Sequence, residues 1–179
     1  MTFEELKIPG TWLVEADVFP DDRGAFARAW MPDEFRARGL DTNIAQCSLT
    51  SNHRQGTLRG LHYQSAPFDE VKLIRAVHGA IFDVGVDLRP DSPTYCQWIG
   101  VELSAENRRS LYLPRGVAHG YQTLVDGTDI LYFVSTPYAP AHQCGVRWDD
   151  PAFGIVWPLG PPAVIHPRDA GYADFTPVR

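Results

Sequence analysis

The stretch Ala80-Ile-Phe-Asp-Val-Gly-Val-Asp-Leu88 alternates without interruption: Phe82, Val84, Val86 and Leu88 share one face, and Ile81, Asp83, Gly85 and Asp87 the other. A period of two with β-branched residues at its centre predicts a strand. Working outward, comparable segments occupy residues 11–19, 57–63, 71–77, 96–103, Arg109–Leu113, 119–123 and 130–134. Turn residues, drawn from 15 Gly and 15 Pro, separate them. Short strands at regular spacing predict an all-β sandwich or barrel. Helix is a minority: residues 32–38 read as one or two turns, with Asp33 and Glu34 near the start and Gly39 closing it. Residues 104–107 read as a turn. The tail after Trp157 is Pro-rich with little periodicity and is expected to wrap the barrel. No repeat or linker divides the chain, so residues 1–179 are expected to form one domain.

Composition narrows the function. The chain has 179 residues, is 44% hydrophobic and 12% aromatic, and carries a net charge of −6 with its basic residues scattered. That describes a globular protein without a nucleic-acid-binding stripe. An anionic ligand would need a local cluster of Arg and Lys. Cys47, Cys96 and Cys144 have no metal or redox spacing and are expected to be reduced, mostly buried thiols. No apolar run approaches a membrane span, and the N-terminus does not read as a secretion signal; no membrane partner and a cytoplasmic location are expected.

Two histidine-bearing segments stand out, Arg59-Gly-Leu-His-Tyr-Gln64 and Pro114-Arg-Gly-Val-Ala-His-Gly120. The second resembles the second motif of the cupin superfamily, which implies a cupin-type jelly-roll β-barrel. Metal-binding cupins carry H-x-H in the first motif; here the stretch is His62-Tyr63-Gln64, one imidazole short. Transition metals want three or four suitable ligands, so no metal is expected.

The runs GTLRGLHYQ (56–64), Lys72-Leu73, DVGVDLRPDSPTY (83–95), LPRGVAHGY (113–121), Tyr132, Tyr138 and WDDPAFGIVWP (148–158), with DDRGAF (21–26) and Asp169, resemble the dTDP-4-dehydrorhamnose 3,5-epimerase family nearly end to end. The resemblance implies an isomerase, without cofactor, that epimerises carbons flanking the ketone of a nucleoside-diphosphate 4-keto-6-deoxy sugar. It implies His62 as base, oriented by Asp169; Lys72 near the enolate oxygen; and Tyr132 returning a proton from the opposite face. Proton removal beside a ketone needs such a base and a stabilised enolate. Arg23, Arg59 and His119 are implied as substrate or diphosphate contacts, Arg because its planar fork donates two hydrogen bonds at once. Tyr138 is implied to stack on the nucleotide base, with Phe26 in the same pocket, and Asp83 to orient His119 or Lys72. The family forms homodimers, and the Arg23–Phe26 motif is implied to serve the partner's pocket.

The sequence departs from the family pattern at Arg28, where the R-G-x-F-x-E motif ends in Glu, and at Gln143, also usually Glu. Arg168 replaces a Lys beside Asp169, and the Q-x-N-x-S segment reads Gln46-Cys-Ser-Leu-Thr50. These positions bear on nucleotide and sugar recognition. They keep open a single-centre epimerase or another nucleotide sugar; a non-catalytic sugar-nucleotide-binding cupin is the reading from a different class. Strict alternation would also put Arg59 and His62 on opposite faces, so both reach one pocket only if the strand twists or bulges, with Gly60 the expected place.

Overall fold

The structure is a computed structural model and describes residues 1–178; residue 179, the last of the expected domain, lies outside the described residues. Its strands are β1 (Thr2–Glu5), β2 (Trp12–Glu15), β3 (Asp17–Asp21), β4 (Gly24–Arg28), β5 (Gln46–Asn52), β6 (Thr57–Gln64), β7 (Lys72–His78), β8 (Ala80–Asp87), β9 (Trp98–Ser104), β10 (Arg109–Leu113), β11 (Val117–Thr123), β12 (Thr128–Val134), β13 (Gln143–Gly145) and β14 (Val164–Ile165). Two short α-helices join them, α1 (Pro32–Arg36) and α2 (Pro167–Ala170).

The expected all-β, jelly-roll-like architecture is present as two facing sheets. One runs β1-β2-β10-β7-β12-β5, the other β13-β6-β11-β8-β9, with β14 added in parallel beside β6. The sheets trap a core of Leu13, Ile74, Leu111 and Ile130 from the first against Ile81, Ile99, Leu103 and Val117 from the second. Burying each such side chain is worth about 1.5–3 kcal/mol. The outer faces have their own covers. Val84 and Val86 turn away from the interior as their alternation requires and pack with Leu58, Phe153 and Trp157 of the tail. Phe35 of α1 fills the outer face of the first sheet against Val14, Leu73 and Tyr112.

Three expectations need correction. The strand expected over residues 11–19 is two strands: β2 joins the main sheet, whereas β3 pairs only with β4 as a separate hairpin. Cys47 is exposed, and Cys96 and Cys144 are only partly buried. The tail does wrap one sheet, but it also forms α2, where Pro167 follows a His166 side chain that accepts a hydrogen bond from the Arg168 amide.

Candidate active site

A cavity of about 520 Å³ opens between the sheets, and residues from both reach it: His62, Arg59 and His119 from the second, Lys72 and Tyr132 from the first. The local folding of β6 explains how Arg59 and His62 share it. His119 pairs with His62 and Tyr121 with Arg59, so three steps along β6 match two along β11. The extra residue is a bulge at the expected Gly60, whose φ of +120° suits glycine. A Cβ there would lie 2.5 Å from the Gly120 Cα and 2.7 Å from the His119 carbonyl oxygen, so the two strands approach through paired glycines.

The bulge also frees the Gly60 amide, which donates to Asp169 Oδ2 at 3.2 Å. Asp169 Oδ1 lies 2.9 Å from His62 Nε2, and Arg168 Nε donates to the same oxygen at 3.1 Å. Burial alone would raise the Asp169 carboxyl, but His62, Gly60 and Arg168 outweigh it and hold it at about 2. The carboxylate therefore stays ionised and accepts from Nε2–H, which leaves Nδ1 as the basic ring nitrogen. The tail fixes this geometry. Tyr172 closes over Gly145, where a Cβ would sit 2.2 Å from its ring, and its ring centroid is 6.4 Å from that of His62.

A second imidazole–carboxylate pair stands beside the first: His119 Nε2 is 2.6 Å from Asp83 Oδ1. Asp83 is fully buried behind His119, so it orients that residue and does not line the cavity. Of the two partners expected for Asp83, the geometry selects His119. Arg59 Nε donates to Asn52 Oδ1 at 2.9 Å, which anchors the guanidinium while its tip remains at the cavity. Lys72 is largely buried, with Nζ donating to the His62 carbonyl at 2.9 Å. Tyr132 lines the opposite wall, and its hydroxyl makes no hydrogen bond among the described residues.

Gln46, Tyr138 and Gln143 also line the cavity, and the Tyr138 hydroxyl donates to Gln143 Oε1. Arg168 does not line it; its guanidinium is directed to Asp169 and, at 3.3 Å, to Gln143. Gln64 holds the Tyr138 loop, donating to the Phe68 and Pro137 carbonyls and accepting from the Ala139 amide. Among the described residues no group of three or more His, Cys, Asp or Glu is placed to hold a metal ion.

Within one chain Arg23, Phe26 and Arg28 do not line this cavity. They lie on the β3–β4 hairpin, which pairs with neither main sheet. Arg23 is 90% exposed and paired with Asp21 at 2.7 Å. Phe26 packs on Phe19, and the Arg28 guanidinium sits 4.9 Å from the Phe19 ring centroid. Several cavity residues are not among those expected from the sequence, Glu70 and Tyr121 the most informative of them. Glu70 precedes Lys72 by two, so extending that strand's alternation backward puts both on one face. Tyr121 follows His119 by two on β11; burial pushes its phenol up, and its hydroxyl donates to Asn52 Oδ1 at 3.3 Å.

The family model for dTDP-4-dehydrorhamnose 3,5-epimerase matches residues 5–176. A dTDP-4-dehydrorhamnose 3,5-epimerase of Sinorhizobium fredii is 42% identical over 170 residues, covering 95% of this chain and 87% of that protein. The crystal structure of the Bacillus anthracis dTDP-4-dehydrorhamnose 3,5-epimerase with TDP and PPi bound superposes with a TM-score of 0.93 at 38% identity, covering 97% of this chain and 99% of that one. The Legionella pneumophila dTDP-6-deoxy-D-glucose-3,5-epimerase, in complex with dTDP-4-keto-L-rhamnose, gives 0.89 at 34% identity, covering 94% and 89%.

Proposed function

From the premise that the chain belongs to the dTDP-4-dehydrorhamnose 3,5-epimerase family, we propose that it converts a dTDP-4-keto-6-deoxy sugar at both carbons flanking the ketone, as an isomerase. One observation carries the reading: a carboxylate-backed imidazole on one sheet and an unbonded phenol on the other line the same cavity. Epimerisation requires that a proton leave one face of a carbon and another arrive on the opposite face. His62 takes the proton alpha to the ketone, and Asp169 stabilises the imidazolium that results. The electron pair moves onto the ketone oxygen, where the Lys72 ammonium stabilises the enolate. Tyr132 then delivers a proton to the other face of the same carbon. Both groups are reset by proton exchange, and the cycle repeats at the second carbon. No net proton is gained or lost, as an isomerisation demands.

The remaining cavity residues suit the nucleotide. Arg59 and His119 offer donors to a diphosphate, Tyr138 and Gln143 form a half-open wall for the base, and Gln46 lies on the sheet opposite Arg59. Arg168 acts through Asp169. The chain works as one domain and as a homodimer in which the β3–β4 hairpin carries Arg23 and Phe26 to the partner's cavity; Arg28 belongs to the same hairpin. The exposed Phe19, Phe26 and Leu49 support such an interface. Among the described residues no helix is long and apolar enough to cross a membrane. Three free cysteines fit the reducing cytoplasm as its setting.

The test is turnover of dTDP-4-keto-6-deoxyglucose in deuterated water, read by NMR. Deuterium at both carbon 3 and carbon 5 is expected. Deuterium at one carbon only would replace this reading with a single-centre epimerase. Binding without any exchange would reduce the protein to a sugar-nucleotide-binding module.

A further inference from the structure

Glu70 has a place in the site that the catalytic scheme does not yet use. Its side chain is only 6% exposed and lines the cavity, and Oε1 forms an ion pair with Lys72 Nζ at 3.0 Å. Its other oxygen, Oε2, is buried with no hydrogen-bond partner among the described residues. A buried carboxylate normally spends both oxygens on the fold around it, because an unsatisfied one is costly. Asp87 spends its carboxylate this way, accepting from Arg89, Ser92 and Thr94, whereas Asp83, which backs His119, shares with Glu70 a buried second oxygen left without a partner among the described residues. Glu70 holds only Lys72. The Lys72 ammonium is thus fixed between the Glu70 carboxylate and the His62 carbonyl, the residue of the proposed base. Lysine sits on a flexible four-carbon stem, so without two anchors its charge would wander from the enolate oxygen.

We infer that Glu70 is a positioning residue for the reaction: it aims the Lys72 ammonium at the ketone oxygen and has no separate task in the fold. The inference rests on the epimerase reading above. If Glu70 acts only through Lys72, its removal must cost nothing once Lys72 is gone.

The experiment is a double-mutant cycle on the full chain with Glu70→Gln, which keeps size but not charge, and Lys72→Met, which keeps the stem but not the ammonium. Turnover is read by deuterium incorporation, and dTDP binding by calorimetry verifies an intact cavity. Glu70→Gln is expected to lower kcat about tenfold with KM within about twofold, the signature of lost aim. Lys72→Met is expected to lower kcat by about 10²–10³, as loss of one enolate-stabilising group does. Adding Glu70→Gln to Lys72→Met is expected to change kcat by less than about twofold. An equal loss in both backgrounds, or none in the wild-type background, would overturn the role. Glu70→Ala serves as a second variant with the same expected non-additivity. A wild-type protein with no exchange on any 4-keto sugar nucleotide would instead overturn the epimerase reading, and this inference with it.

Discussion

The bulged β6–β11 pair and the β3–β4 hairpin carry motifs of equal clarity in the sequence, and the structure treats them in opposite ways. On β6 and β11 each functional side chain has a partner fixing it from behind: Asp169 for His62, Asp83 for His119, Asn52 for Arg59. On the hairpin, Arg23 has among the described residues only its neighbour Asp21, and Phe26 lies exposed on Phe19. The difference separates side chains ordered by their own chain from a segment whose proposed use needs a second copy. Preorganised groups do chemistry because their orientation costs nothing at the moment of reaction; loosely held ones serve where a partner supplies the order.

Substitutions at the two regions sharpen that contrast. The largest effect is expected at the dyad: His62→Ala should lower kcat by about 10²–10⁴, the range for loss of a general base, with dTDP affinity nearly unchanged by calorimetry. Next is Gly60→Ala, which forces a side chain into the β6–β11 gap at positive φ and should cost roughly 2–4 kcal/mol in denaturant unfolding, with loss of turnover. On the hairpin, Arg23→Ala should leave stability within roughly 0.5 kcal/mol. It should still reduce kcat/KM by about 10–100-fold if its charge meets the substrate in a partner's cavity. Unchanged kinetics would remove the hairpin from the account, as would a monomeric sedimentation profile at working concentration.

The smallest effect is on acid stability. The folded Asp169 carboxyl sits near 2 against an ordinary 3.8, so its contribution is complete above the ordinary value and is lost as pH falls through about 2. Asp169→Asn should flatten the melting-temperature profile over that interval.

The same contrast marks what the sequence makes legible. Alternation finds strands whose two faces differ, as in residues 80–88, where the apolar face packs under the tail and Asp83 turns inward. It misses β5, where the polar Gln46, Ser48, Thr50 and Asn52 share the more buried face and Cys47 and Leu49 lie on the exposed one; the register comes from pairing with Thr128–Val134. It misses α2, a helix of four residues held by its cap and the tail around it, so Asp169 is recognised by family motif and not by periodicity. The Arg59–His62 conflict is legible as a conflict: period two forbids the shared pocket, and Gly60 is where the rule must break. Glu70 lies just before the strand expected from residue 71, so it goes unread unless the alternation of Lys72 is carried back past the strand's start. Only the family resemblance assigns Arg23 and Phe26 to a partner's pocket, because which chain a side chain serves is not encoded in local sequence.

The central claim is that His62 and Tyr132 address opposite faces of one carbon, and Tyr132→Phe in deuterated water tests it most directly. With the base intact and the opposing acid gone, the substrate should still gain deuterium beside the ketone, while formation of inverted product falls by about 10²–10³. If exchange and inversion fall together, or if inversion proceeds undiminished, Tyr132 is not the group on the far face.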